Sequence, residues 1–139
     1  MADEGSSTEK VGAWELADVV ARGAESGRPY LEFLRVPDLS VGLYVLEAGA
    51  VDGQSPHTED EAYIVMSGQG RLRMGPQDVA VGPGTTAFVA AGVEHRFHDI
   101  TERLVILVSF GPAEGSRAGL PSEGAGVIRR TNSRAKAPG

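Results

Sequence analysis

The chain has no cysteine, a single tryptophan and only three histidines in 139 residues. Without cysteine it has no disulfide framework, no thiolate-bound metal and no cysteine nucleophile. No segment approaches the ~20 apolar residues that a membrane-spanning helix needs. The acidic, polar stretch Met1–Lys10 holds no apolar run of the secretory type. These absences lead us to expect a cytoplasmic protein with no membrane partner. Nor does the chain contain a Walker loop, a dinucleotide fingerprint or the makings of a Ser-His-Asp triad. Positive charge is scarce where a core would form: residues 1–114 carry a balance of -10, and only residues 115–139, at +4, are basic. An acidic body argues against nucleic acid as a partner, because affinity there rests on neutralising phosphates.

Glycine is abundant, with nineteen residues alongside eight prolines. That density of turn formers favours short strands over a helical bundle. Trp14–Gly27 has apolar residues near helical spacing and a Gly stop signal, which predicts a short N-terminal helix. From Pro29 onward the pattern is of strands: Tyr30–Val36, Ser40–Leu46, Ala62–Met66, Gly70–Met74, Gln77–Val81, Thr86–Val89, His95–Ile100 and Leu104–Phe110. Segments such as Ser67-Gly-Gln-Gly70 and Val81-Gly-Pro-Gly84 separate them as turns. The predicted organisation is residues 1–27 as tail and helix, 28–114 as an all-β barrel or sandwich, and 115–139 as a flexible basic tail.

The most informative stretch is Gly49–Gly68, which sets His57 and Glu61 four positions apart between strands. On an unbroken strand these side chains would lie about 13 Å apart at ~3.3 Å per residue, too far for one ion. If Thr58-Glu59-Asp60 is a hairpin loop, both can face inward at one level, and His95, at the start of another strand, can join them. Two imidazoles and one carboxylate suit a catalytic divalent metal with coordination positions left open. Tyr63 and Val65 share parity with Glu61, and Phe97 and Asp99 share it with His95. With Tyr44, Leu46 and Phe88 they are the candidates for a pocket wall, Tyr63, Phe97 and Tyr44 foremost. Glu59 and Asp60 read as solvated loop acids, and Arg71 and Arg73 as surface charges. His98, of opposite parity to His95, should face away from the interior.

The spacing resembles that of the cupin superfamily. Its first motif runs Gly, five residues, His-x-His, three or four residues, Glu, six residues, Gly; Gly49, His57, Glu61 and Gly68 fit it, with Ser55 where the first His would stand. Its second runs Gly, five residues, Pro-x-Gly, two residues, His, three residues, Asn; Gly84, Gly92 and His95 fit, with Ala90 in place of Pro and Asp99 in place of Asn. The resemblance spans roughly residues 40–110. It implies a single jelly-roll (double-stranded β-helix) barrel, and a homodimer in which strands from residues 28–46 extend the partner's sheet. It also implies a metal held by His57, Glu61 and His95, with Gln54 as candidate fourth ligand. Fe(II) is the favoured ion, with Mn, Ni, Co or Zn as alternatives. The expected activity is that of a mononuclear oxygenase on a small organic molecule. The alternatives are a metal-dependent isomerase or cyclase, or a non-catalytic cupin that binds a small molecule or assists other proteins.

Overall fold

The computed structural model describes residues 10–53 and 56–118. One helix, α1 (Leu16–Ser26), precedes six strands: β1 (Tyr30–Val36), β2 (Leu39–Leu46), β3 (Asp60–Met74), β4 (Gln77–Val81), β5 (Thr86–Val89) and β6 (His95–Gly111). All pairings are antiparallel, in the order β1-β2-β6-β3-β4, and β5 pairs with the first half of β3. This is the all-β architecture with a short N-terminal helix that the turn density predicts.

The helix ends where Gly27 adopts a left-handed conformation, φ 72°, and its N–H closes on the Ala24 carbonyl. α1 buries Val19 against the outer face of β1 and β2, joining Phe33, Leu43 and Val105; Trp14 packs its ring 5.3 Å from that of Phe33. The other face of β2 contributes Tyr44 and Leu46 to the main core, with Tyr63, Val65, Leu72, Phe97, Leu104, Ile106, Val108 and Phe110. Covered on both faces, β2 can be an almost uninterrupted apolar run from Val41 to Leu46.

Two long strands replace four predicted short ones. Ser67–Gly70 is not a turn: β3 runs through it, with register shifts against β6 between Val65 and Arg71. Gly68 explains why. Its φ is 100°, and a Cβ there would stand 2.0 Å from the Arg103 carbonyl oxygen and 2.7 Å from Leu104 Cα. Two backbones meet at this corner, so only a residue without a side chain fits. The corner lets a single ladder bend through the barrel while keeping its hydrogen bonds. Glycine in such a bulge is indistinguishable in sequence from glycine in a turn.

Parity also fails at two positions. Asp99 has φ 48°, which rotates its side chain into solvent and off the wall expected for it. Phe88 is 63% exposed on the outer face of β5, not inside. His98 faces outward as expected, bonding through Nε2 to Asp78 at 2.9 Å; Arg71 and Arg73 join the same carboxylate.

The two loop acids are not solvated. Asp60 accepts the Ala91 N–H at 2.9 Å. Glu59, only 1% exposed, accepts the N–H of Gly115 at 2.8 Å, that of Arg117 at 2.9 Å, and the Thr58 hydroxyl. It therefore pins the turn that follows β6, residues 113–118, across the mouth of the barrel; Ser40 Oγ accepts the Glu114 N–H at 2.9 Å and holds the same strap. The remainder of the segment read as a basic tail, 119–139, lies outside the described residues. Burial alone would raise the pKa of Glu59, but these donors and the charge of His57 outweigh it and hold the carboxyl below its usual range.

Two outcomes follow. Gly68→Ala should lower stability by ~3 kcal/mol, read as a shift of the urea midpoint, because it adds both a clash and an unfavourable backbone conformation. Glu59→Gln should cost about 2 kcal/mol at pH 7. A depressed folded-state pKa stabilises above the unfolded carboxylate value and loses that stabilisation as pH falls through the folded one. The gap between wild type and Glu59→Gln should therefore close below about pH 4 in denaturation profiles.

Candidate metal centre

His57, Glu61 and His95 converge at the barrel mouth, each offering a ligand atom within 4.8 Å of the others. They come from different elements. His57 precedes β3 in irregular chain, and its carbonyl accepts the Gly92 N–H at 2.8 Å, tying it to the turn before β6. Glu61 is the second residue of β3 and His95 the first of β6. The expected hairpin thus has only one strand: His57 sits in a bend held by hydrogen bonds, not at a strand end. Gln54 and Ser55 lie outside the described residues.

The polar atoms are arranged for a cation. Glu61 Oε1 lies 3.0 Å from His95 Nε2 and 3.8 Å from His57 Nε2. Glu61 Oε1 and His95 Nε2 are buried and lack a well-aligned hydrogen-bond partner. On the far side of the ring, His95 Nδ1 donates to the Val93 carbonyl at 2.8 Å. A carbonyl only accepts, so Nδ1 carries a proton, and Nε2 faces the carboxylate. Two acceptors at 3.0 Å in a dry site repel unless a proton or a metal ion lies at them. Burial by itself would lower the pKa of His95, yet the Glu61 carboxylate, the Val93 carbonyl and the charge of Asp52 raise it overall. A metal ion is served by the same field, and an imidazole oriented from behind by a carbonyl is the usual support of a metal-binding His.

Beside the triad is a cavity of about 250 Å³ lined by Pro29, Tyr30, Tyr44, His57, Glu61, Val108, Phe110 and Glu114. Tyr44 is therefore at the cavity, as expected from its strand. Tyr63 and Phe97, each 1% exposed, stand behind His95 instead, with ring centroids 5.0 Å apart. Tyr44 donates to Asp52 Oδ1 at 2.6 Å, and Asp52 Oδ2 accepts the Phe97 N–H at 2.9 Å. This buried acid, overlooked among the loop residues before His57, ties that loop to β2 and β6. Burial, reinforced by Asp52, raises the Tyr44 pKa; burial, reinforced by Glu114, raises that of Tyr30. Both therefore stay neutral hydroxyls.

Tyr30 and Glu114 could not be placed from sequence. Tyr30 lies over Gly42, where a Cβ would come within 2.1 Å of its hydroxyl oxygen, and that oxygen is buried without a partner. Glu114 arrives on the strap, its Oε2 3.7 Å from His57 Nδ1, so the imidazole stands between two carboxylates. Burial raises the pKa of Glu114, opposed by His57 and aided by Glu32, Glu61 and Glu59. A Gly on a strand opposite a Tyr is the faint signal that marks Tyr30; nothing local marks Glu114.

Comparison with known proteins accords with this geometry. The family model described as a cupin domain matches residues 42–110. An uncharacterized protein of Streptomyces coelicolor is 44% identical over 102 residues, covering 73% of this chain and 97% of that relative. Among solved structures, an RmlC-like cupin from Shewanella frigidimarina superposes with a TM-score of 0.56 at 17% identity, over 60% of this chain and 75% of the other. The DMSP lyase DddQ from Ruegeria pomeroyi gives a TM-score of 0.55 at 20% identity, over 59% of this chain and 45% of the other. At such identities these structures establish the fold and no more. Barrel, motifs and the matching family model agree: the chain belongs to the cupin family.

Proposed function

We propose that this cupin is a mononuclear metal enzyme of the oxygenase type acting on a small organic molecule. The observation that carries the reading is the buried pair Glu61 Oε1 and His95 Nε2, 3.0 Å apart without an aligned hydrogen bond. With His57 Nε2 they make a set of two imidazoles and one carboxylate, the ligand set of non-haem Fe(II) oxygenases. Fe(II) is the ion we favour; Mn, Ni, Co and Zn suit the same donors. When bound, such an ion supplies Lewis-acid or redox chemistry at its open positions.

The protein's own contribution is orientation and exclusion of water. The Val93 carbonyl fixes the tautomer of His95. Val108, Phe110 and the Tyr44 ring form the apolar side of the cavity, which desolvates a bound molecule next to the triad. Glu114 lines the same cavity with a carboxyl that can hold a polar group of the substrate, and the Tyr30 ring adds to its wall. We also propose the homodimer that the resemblance implies, with β1, which is terminal in the sheet order, as the strand available for pairing; sedimentation velocity should show a species of twice the monomer mass.

Protein purified without chelator and without a metal-affinity tag should hold about one equivalent of divalent metal by elemental analysis. Each of His57→Ala, Glu61→Ala and His95→Ala should lose it while remaining folded by circular dichroism. Absence of metal from wild type, even after anaerobic reconstitution, would sink this reading.

A further inference from the structure

The charge of the cavity lining restricts what can enter. Among the described residues that line it, the ionisable side chains are His57, Glu61, Glu114 and the two tyrosines; none is Lys or Arg. Arg35, on β1, has its guanidinium bonded to Glu32 at 2.9 Å and to the backbone carbonyl of Glu114 at 2.8 Å. Glu61 belongs to the proposed metal set. What remains facing the ligand is Glu114, between aromatic and aliphatic walls. Among the described lining residues an anionic group placed away from the metal finds no Lys or Arg and meets a carboxyl, and juxtaposed like charges disfavour binding.

Size sets a second limit. A dry cavity of ~150 Å³ accommodates benzene, so about 250 Å³ accommodates one ring with short substituents. The walls are suited to a flat body: Phe110 and Tyr44 present ring surface, and Val108 an aliphatic one.

We infer that the site selects an uncharged molecule the size of a single substituted ring, which presents a hydrogen-bond donor to Glu114, and that Glu114 is the residue that rejects acids. The inference rests on the metal reading for the anchoring of the ligand, and on Glu114 alone for the choice between neutral and anionic ligands. Glu114 is well suited to this task. It belongs to the strap and not to the barrel, and its position is fixed from outside the cavity, by Ser40 and Arg35 on its own backbone and by Glu59 on the residues after it.

The test uses two near-isosteric probes with the same chelating head, 3,4-dihydroxybenzamide and 3,4-dihydroxybenzoate, titrated calorimetrically at pH 8 into Zn(II)-loaded protein. Wild type should bind the amide about ten-fold or more tightly than the acid. Glu114→Gln, which keeps an acceptor for the amide, should retain its metal and bring the ratio close to one. Gly42→Ala, which forces the Tyr30 ring aside, should weaken both probes together and leave their ratio unchanged. Equal or tighter binding of the acid by wild type, an unchanged ratio in Glu114→Gln, or no binding of either probe overturns the inference. Metal content is measured on the same samples. If wild type proves metal-free the metal reading fails by itself, and the amide-over-acid ratio is then read on that protein by ligand-observed NMR with the same outcomes.

Discussion

The site depends on how far one antiparallel ladder can be bent without breaking. Glu61 is paired with Phe110 at one end of the β3–β6 ladder, and His95 with Met74 at the other. Laid flat, thirteen residues of strand would separate Glu61 from the level of His95, on the order of 40 Å at ~3.3 Å per residue. In the folded chain their side-chain atoms are 3.0 Å apart. The ladder must curl back on itself to achieve this, and the corner at Gly68, where the backbone of Arg103 occupies the space of a side chain, is where the curl is sharpest in register. The convergence of His57, Glu61 and His95 is thus a property of sheet curvature before it is a property of three side chains.

That curvature also explains which parts of the protein were legible in its sequence. Motif spacing identified His57, Glu61 and His95 because the family's barrel converts fixed intervals along the chain into fixed positions at the mouth. Strand boundaries at Tyr30–Val36, Gln77–Val81 and Thr86–Val89 were equally plain, since real turns flank them. Continuity through Ser67–Gly70 was not, because a bulge and a turn ask the same thing of glycine. Period-two parity failed at Asp99, where one positive φ resets the alternation.

The acids were the hardest to read. Glu59, Asp60 and Glu61 are chemically alike and adjacent, and composition suggests solvent for such a run. Their partners decide otherwise: backbone N–H groups of Gly115 and Arg117 for the first, the Ala91 N–H for the second, two imidazoles for the third. Apart from His57, four residues from Glu61, these partners lie between thirty and sixty residues away, so no local pattern announces them. Glu114 was hidden for the same reason. It reaches His57 only because Glu59, two residues from that His, captures the strap on which Glu114 rides.

The strap divides the labour of the pocket between two parts of the chain with different constraints. Glu61, His95 and the apolar walls are embedded in strands whose register cannot shift without undoing the core. Residues 113–118 carry no ladder, and apart from the buried Ala113 they are anchored largely by main-chain N–H groups, whose donors are indifferent to the side chains they accompany. The strap is therefore separable from the barrel: the side chain presented at 114 can change while the strands, and the backbone contacts that hold residues 113–118, stay as they are.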